Sequence, residues 1–462
     1  MRIRKSDIVE LWVDRMAFGG RGVTRMDGLV VFVEGAVPGD RIMARIVRKK
    51  KDYAEAKLQE ILDPSPDRIN APCPYSGYCG GCSFQHLRYE KQLEYKREQI
   101  RDSMARIGAL GEVMVHDVIP SDRIYGYRNK MEFSFSDRCW LPADEYAKGE
   151  RIGGFGLGLH MPGTFFKVMD IDACLLQNDT GNLILNEVKR YVRESGVPVY
   201  GLKTHRGFWR FLTLRYSTAF DEWLVNLVTS EEDRGVVMPL AEALCKLTDR
   251  IKTVVDNINT RKAAIASGER EIILTGEGYI RDRIGAYTFQ VSANSFFQTN
   301  SSGAGKLYEK VVEYAELEGH ETVLDLYCGT GTIPIFLSKV AKEVIGMEIV
   351  EAALMDAERN CISNNALNCR FILGDIRETL PDIRFKPDVL IIDPPRAGIH
   401  EDILKGIMSM DVKKVVYVSC NPATMARDIG LMSDRYLVKE IQPVDMFPHT
   451  YHIEAVAKMV LQ

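Results

Sequence analysis

Thr322-Val323-Leu324-Asp325-Leu326-Tyr327-Cys328-Gly329-Thr330-Gly331 decides how the C-terminal part of this chain folds. An apolar run of strand length ends in glycines that open a helical pattern. That is how the first strand of an open parallel sheet meets its first helix. Working downstream, the same rhythm repeats. Apolar runs at 322–326, 343–347, 370–373, 388–392, 414–419, 435–442 and 455–461 alternate with helical periodicity. The expectation is a C-terminal α/β, Rossmann-like sheet of seven strands.

Ligands of open α/β sheets bind beyond the carboxyl ends of the strands. Glycines at 329 and 331 let backbone approach a ligand closely. Glu348 ends the second strand, 19 residues beyond Gly329, where an acid accepts hydrogen bonds from ribose hydroxyls. Gly374-Asp375 ends the third strand, where an acid can meet an adenine amino group. The fourth ends in Asp393-Pro394-Pro395-Arg396. A dinucleotide site wants a third glycine at 334, and this chain has Pro334. The pattern fits S-adenosylmethionine better. The fifth strand ends in Val418-Ser419-Cys420-Asn421-Pro422. A cysteine at the mouth of a buried strand, just before Asn-Pro, is placed as a nucleophile rather than as core filling.

Upstream, residues 6–62 read as about five short strands broken by glycine turns, a small barrel. Residues 1–62 carry 13 Lys/Arg against 9 Asp/Glu, a net of +4. The whole chain is −4, so the other 400 residues carry −8. The densest basic run, Arg48-Lys49-Lys50-Lys51, has two readings: an ordinary solvated face, or an RNA contact within a β-rich module. Asp63-Pro64-Ser65-Pro66 reads as a linker. Cys73, Cys79 and Cys82 then cluster in a loop-rich stretch with Gly77, Gly80 and Gly81 free to wrap something. A helical pattern follows over 87–107. Residues 120–285 read as a separate α/β or α+β region. Within it Lys203-Thr204-His205-Arg206-Gly207-Phe208-Trp209-Arg210-Phe211 is either a strand edge or an RNA face that stacks bases.

At 462 residues, 46% apolar and 27% charged, the composition is that of an ordinary soluble globular protein of several domains. With no apolar run of membrane length and no signal core, the expected compartment is the cytoplasm and no membrane partner is expected. Ten cysteines in that compartment point to metal or catalysis rather than disulfides. Four thiolates suit zinc or an iron–sulfur cluster. Three close cysteines plus a remote one fit a 4Fe–4S cluster better than the paired hooks of zinc sites. Cys328 reads as structural packing in the cofactor loop.

These motifs together resemble the RNA uracil-C5 (5-methyluridine) methyltransferases, in particular the iron–sulfur-containing 23S rRNA type with a TRAM domain. The likeness spans the chain. Gly20-Arg21-Gly22-Val23 through Pro38-Gly39-Asp40 looks like a TRAM module. Ser295-Phe296-Phe297-Gln298-Thr299-Asn300 resembles the family's cofactor-site signature. Ser419-Cys420-Asn421-Pro422 resembles the nucleophile motif, and His452-Ile453-Glu454 the motif that carries the base. The resemblance implies three segments: an OB-like, RNA-binding barrel over 1–63, a central α/β region with the cluster loop and an RNA face over 64–285, and the methyltransferase over 286–462. It implies Cys420 and Glu454 as catalytic residues and Gln298, Tyr327, Glu348 and Asp393 as cofactor contacts, to which the strand pattern adds Asp375. It implies Cys73, Cys79, Cys82 and Cys174 as ligands of a 4Fe–4S cluster. The expected activity is of class EC 2.1.1, on 23S rRNA or alternatively tRNA, with no obligate protein partner.

The chemistry needs these groups. Uracil C5 is too weak a nucleophile to take a methyl group unaided. A thiolate adding to C6 activates C5, and a base must then remove the C5 proton so that sulfur can leave. In a sheet whose last strand lies antiparallel beside the fifth, Cys420 and Glu454 meet at one edge. Two other functions compete. An amino methyltransferase using Asp393-Pro394-Pro395, or a non-catalytic RNA-binding factor, needs neither Cys420 nor Glu454.

Overall fold

The computed structural model describes residues 3–140, 154–164 and 166–462. The chain divides into two compact units. One comprises Met1–Gly77, Cys82–Ser121 and Ile391–Gln462; the other comprises Tyr78–Gly81 and Asp122–Leu390. These units follow packing, and they cut across the three segments expected from motifs.

In the first unit the N-terminal module is a six-stranded sheet. Its order is Ile8–Trp12, Arg41–Lys49, Tyr53–Asp63, Leu29–Glu34, Arg21–Met26 and Arg15–Ala17. The pair Leu29–Glu34 with Tyr53–Asp63 is parallel. Alternate residues Val31, Val33, Ile42, Ala44, Ile46, Ala54 and Ala56 fill its core, as a half-buried sheet requires. The segment expected to be a linker is instead docked. Buried Asp40 accepts from Ser65 N at 3.0 Å and from Arg68 Nε and Nη2 at 2.8 and 2.7 Å. A buried carboxylate needs such partners, and the Pro38-Gly39-Asp40 turn and the chain after Asp63 supply them to each other. Met16 and Val37 pack on Phe84, Leu87 and Tyr95, which lead into the helix Tyr89–Arg106.

In the second unit a seven-stranded sheet runs Arg270–Thr275, Ile251–Ile258, Glu222–Thr229, Trp209–Ser217, Lys130–Ser136, Gly156–His160 and Val168–Asp170. It is antiparallel except between Glu222–Thr229 and Ile251–Ile258. Helices Asp179–Ser195 and Arg234–Leu247 make this an α+β layer.

The C-terminal sheet has seven strands, as expected. Its order is Cys369–Leu373, Glu343–Glu348, Thr322–Leu326, Val389–Ile392, Lys414–Ser419, Glu454–Leu461 and Tyr436–Val444. Numbered within the sheet this is 3-2-1-4-5-7-6. The last strand pairs antiparallel with both of its neighbours. Among the described residues no helix is long and apolar enough to cross a membrane.

Candidate active site

Val415, Val416, Tyr417 and Val418 are buried, and Cys420 emerges half-buried where the strand Lys414–Ser419 ends. The turn that carries it is fixed by polar contacts. Asn421 caps the helix Pro422–Met432, its Oδ1 accepting from Ala423 N at 3.0 Å, with Pro422 in the first turn. Ser419 Oγ accepts from Asn421 N at 3.1 Å and donates to Asn421 O at 3.0 Å. Asn421 Nδ2 donates to Arg396 O at 3.1 Å, tying the Asp-Pro-Pro-Arg loop to the cysteine turn. Asp428, fully buried, completes the frame. Its Oδ2 accepts from Tyr417 Oη at 2.7 Å and Ile399 N at 2.8 Å, and its Oδ1 from Arg427 Nε at 2.8 Å. Sequence reading missed Asp428, whose only signal was an acid on an otherwise apolar helix face.

Ser419 pairs with Ala455 across the antiparallel ladder, so the next residue outward on one strand, Cys420, meets the preceding residue on the other, Glu454. The charges at this edge act on one another. Burial pushes the Glu454 carboxyl up to about 8; Asp393 adds to the rise, while Arg396 and Lys96 oppose it. The Cys420 thiol is pushed up to about 11 by burial and by Glu454, against the pull of Arg396. Burial also raises Asp393, to about 6. At neutral pH the resting edge therefore holds a thiol and a protonated Glu454 beside the Arg396 guanidinium. Arg396 Nη2 lies 3.3 Å from His452 Nδ1. The His452 ring rests on Tyr451, with centroids 4.4 Å apart, and Tyr451 meets Phe18 of the N-terminal module edge-on at 5.8 Å.

In the second unit, Tyr327 closes the first strand with φ +67°, a conformation that L-residues rarely hold. Gly329 follows at φ +55°, and a Cβ there would meet nothing within 4 Å, so this backbone lies open to a ligand. Glu348 accepts from Gly329 N at 3.1 Å through one carboxylate oxygen. Its other oxygen accepts from Ile349 N and Val350 N, both at 2.8 Å. The second-strand acid is thus held at the glycine turn. Asp375 caps the short helix Ile376–Thr379, accepting from Arg377 N at 2.9 Å, and pairs with the Arg377 guanidinium. The loop carrying Gln298 is pinned by Asn129 and Arg215 at the central sheet and by Asp282 of the hairpin strand Tyr279–Ile284. Asn129 Nδ2 donates to Gln298 O at 2.9 Å and Arg215 Nε to Ala293 O at 3.3 Å, while buried Asp282 accepts from Ser301 Oγ at 2.5 Å. Cys328 packs against Gly346, where a Cβ would come 2.7 Å from its Sγ, and burial drives its thiol well above the ordinary range. It is a packing cysteine, as expected.

Two of the four cysteine sulfurs, those of Cys79 and Cys82, have an N–H donor beside them. Gln85 Nε2 lies 3.2 Å from Cys82 Sγ, and its Oε1 accepts from Cys73 N at 3.2 Å. In the second unit Gly81 N lies 3.3 Å from Cys79 Sγ, and buried Cys174 donates its own N–H to Asn182 Oδ1 at 2.9 Å.

Several comparisons with known proteins bear on this geometry. Residues 242–460 match the tRNA (Uracil-5-)-methyltransferase family model. An uncharacterized RNA methyltransferase of Halalkalibacterium halodurans is 39% identical, covering 100% of this chain and 98% of its own. One of Chlorobaculum tepidum is 40% identical, covering 99% and 97%. The crystal structure of the Pyrococcus abyssi tRNA (uracil-54, C5)-methyltransferase with S-adenosyl-L-homocysteine superposes with a TM-score of 0.76 and 32% identity, over 98% of this chain and 100% of that one. The chain belongs to the RNA uracil-5-methyltransferase family. As a uracil-5-methyltransferase it is an EC 2.1.1 enzyme that takes its methyl group from S-adenosylmethionine and acts on RNA.

Neither of the two readings of the 203–211 patch, a strand edge or an RNA face, fits where its aromatic residues lie. Phe208, Trp209, Arg210 and Phe211 are buried. The strand Trp209–Ser217 is internal to its sheet, between Lys130–Ser136 and Glu222–Thr229. The Arg210 guanidinium is spent on the carbonyls of Asn259, Arg261 and Ala263. These rings cannot stack on bases, and only Lys203 to Arg206 of that patch are exposed.

Proposed function

We propose that this enzyme methylates C5 of a uridine in 23S rRNA, with Cys420 as nucleophile and Glu454 as base. The observation that carries the reading is the Ser419–Ala455 register, which sets a strand-end cysteine and a buried carboxyl one residue beyond the same ladder position. S-adenosylmethionine, when bound, supplies an electrophilic methyl group. Cys420 loses its proton to solvent water and the thiolate adds to C6, with Arg396 favouring the charged sulfur and C5 becoming electron-rich. After C5 is methylated, Glu454 takes its remaining proton and the C6–sulfur bond breaks. Gln298, Tyr327, Glu348, Asp375 and Asp393 are the proposed cofactor contacts. The open Gly329 turn beside Glu348 supports this. For Asp375 to reach adenine it must share its carboxylate with Arg377.

Cys73, Cys79, Cys82 and Cys174 are proposed to hold a 4Fe–4S cluster. N–H donors at thiolate sulfur are the surroundings that such a ligand set uses, which supports the assignment. The N-terminal sheet is proposed as an OB-like TRAM module that binds RNA. A tRNA substrate is the second reading, favoured by the likeness to the Pyrococcus abyssi enzyme. Nucleoside mass mapping of rRNA and tRNA from a deletion strain decides it. Loss of 5-methyluridine from 23S rRNA is expected; loss from tRNA alone overturns the rRNA assignment.

A further inference from the structure

Glu454 is delivered by the loop 445–453, and that loop is held by one face of a distant helix. Tyr89, Gln92 and Lys96 lie at i, i+3 and i+7 of the helix Tyr89–Arg106, so they share a stripe. Two of them hold Asp445 and the third holds His449. Lys96, with 1% of its side chain exposed, gives Nζ to Asp445 Oδ1 at 2.6 Å and to Phe447 O at 3.1 Å. Tyr89 Oη donates to the other Asp445 oxygen at 2.8 Å. Gln92 contacts His449 through both ends of its amide, accepting from His449 N at 2.9 Å and lying 3.2 Å from its Nδ1. His449 itself sits at φ +63°. Its carbonyl accepts from Ser83 N at 2.8 Å and Phe84 N at 2.9 Å. A strained residue persists only where its surroundings over-determine it, and here backbone and side chain are both held.

A buried ion pair is a poor source of stability, because desolvation offsets most of its attraction. What Lys96 does provide is a fixed distance. It binds the loop at positions 445 and 447, Gln92 binds it at 449, and the chain then runs through His452 to Glu454. We infer that Lys96 and Gln92 are positioning residues for the proton-abstraction step, acting on the Glu454 carboxylate through this loop. The inference rests on Glu454 being the base. It also accounts for a buried cation that no other part of the chemistry uses. The groups facing Glu454 are then Lys96 from the helix, Asp393 and Arg396 from the loop after the fourth strand, and Cys420 from the fifth. Among these Lys96 and Arg396 favour the ionised base.

The test uses the full chain with Lys96→Met/Asp445→Leu, which removes both charges and leaves neither unpaired, alongside Gln92→Met and Glu454→Gln. Thermal melting and S-adenosylhomocysteine binding report the fold. The first-turnover burst of methyl transfer is compared with steady-state release and with covalent enzyme–RNA on a denaturing gel. The double variant is expected to melt and bind as wild type and to methylate once. It then releases product about 10²-fold more slowly, the cost of misplacing a reacting group by about 1 Å, and accumulates adduct. A double variant that melts normally and turns over at wild-type rate without adduct overturns the inference. Should the double variant not fold, the same outcomes are read from Gln92→Met. If Glu454→Gln itself turns over normally, the base assignment has failed; if it traps RNA while the other variants do not, only the positioning role has failed.

Discussion

Replacing Glu454 with glutamine should make the protein more stable and far less active, and the structure gives the size of the first effect. In the folded state burial and Asp393 raise this carboxyl from 4.5 to about 8. Below pH 4.5 both folded and unfolded chains carry the proton, and nothing is lost. Between those values the unfolded chain ionises while the folded one stays protonated, so stability falls as pH rises, by about 1.4 kcal/mol per pH unit. By pH 7 the deficit is ~3 kcal/mol, approaching ~5 kcal/mol above pH 8. Glutamine keeps the shape and has no proton to lose, so it escapes this cost. Melting curves of wild type and Glu454→Gln from pH 5 to 9 should nearly coincide at the acid end and diverge steadily above it, the variant melting several degrees higher. Its turnover should drop by roughly 10²–10⁴-fold, as removal of a general base does, with RNA trapped on Cys420. Melting curves that stay parallel across the range would show that Glu454 is not held protonated, and the electrostatic argument for its role would go with them.

RNA carrying 5-fluorouridine at the target should trap wild type on a denaturing gel, because fluorine cannot leave as a proton does; Cys420→Ala should give no adduct, and one that survives refutes the nucleophile. Single-turnover product release should rise with pH through about 8, since the base works only once ionised and its folded value lies there; a rate already flat from pH 6 would move the proton to another acceptor. Anaerobically purified protein should hold about four irons per chain, and Cys79→Ser should lose iron and solubility together; one zinc and no iron would overturn the cluster.

The sequence was most readable where burial is continuous. The strands Thr322–Leu326 and Lys414–Ser419 begin and end where their apolar runs do. Arg15–Ala17 and Arg21–Met26 went unread because short, arginine- and glycine-bearing strands look like turns. The 203–211 patch shows the limit of local reading. Arginine between aromatic residues looks alike on an RNA face and on an internal strand, and only the carbonyls of Asn259, Arg261 and Ala263, about 50 residues downstream, decide which it is. The meeting of Cys420 and Glu454 was legible because strand order predicted it. The Lys96–Asp445 pair was not, because its partners stand 349 residues apart and no periodicity links them.

That separation bears on when the enzyme becomes an enzyme. The helix face carrying Tyr89, Gln92 and Lys96 is made before its partner loop, Gln92 and His449 standing 357 residues apart. At about 5–20 residues per second this is roughly 20–70 s of synthesis. Through that interval the N-terminal module and helix wait with a lysine whose counter-charge does not yet exist. The thiol of Cys420 likewise precedes the carboxyl of Glu454. Both pairs close only when the C-terminal strand slots between its two neighbours.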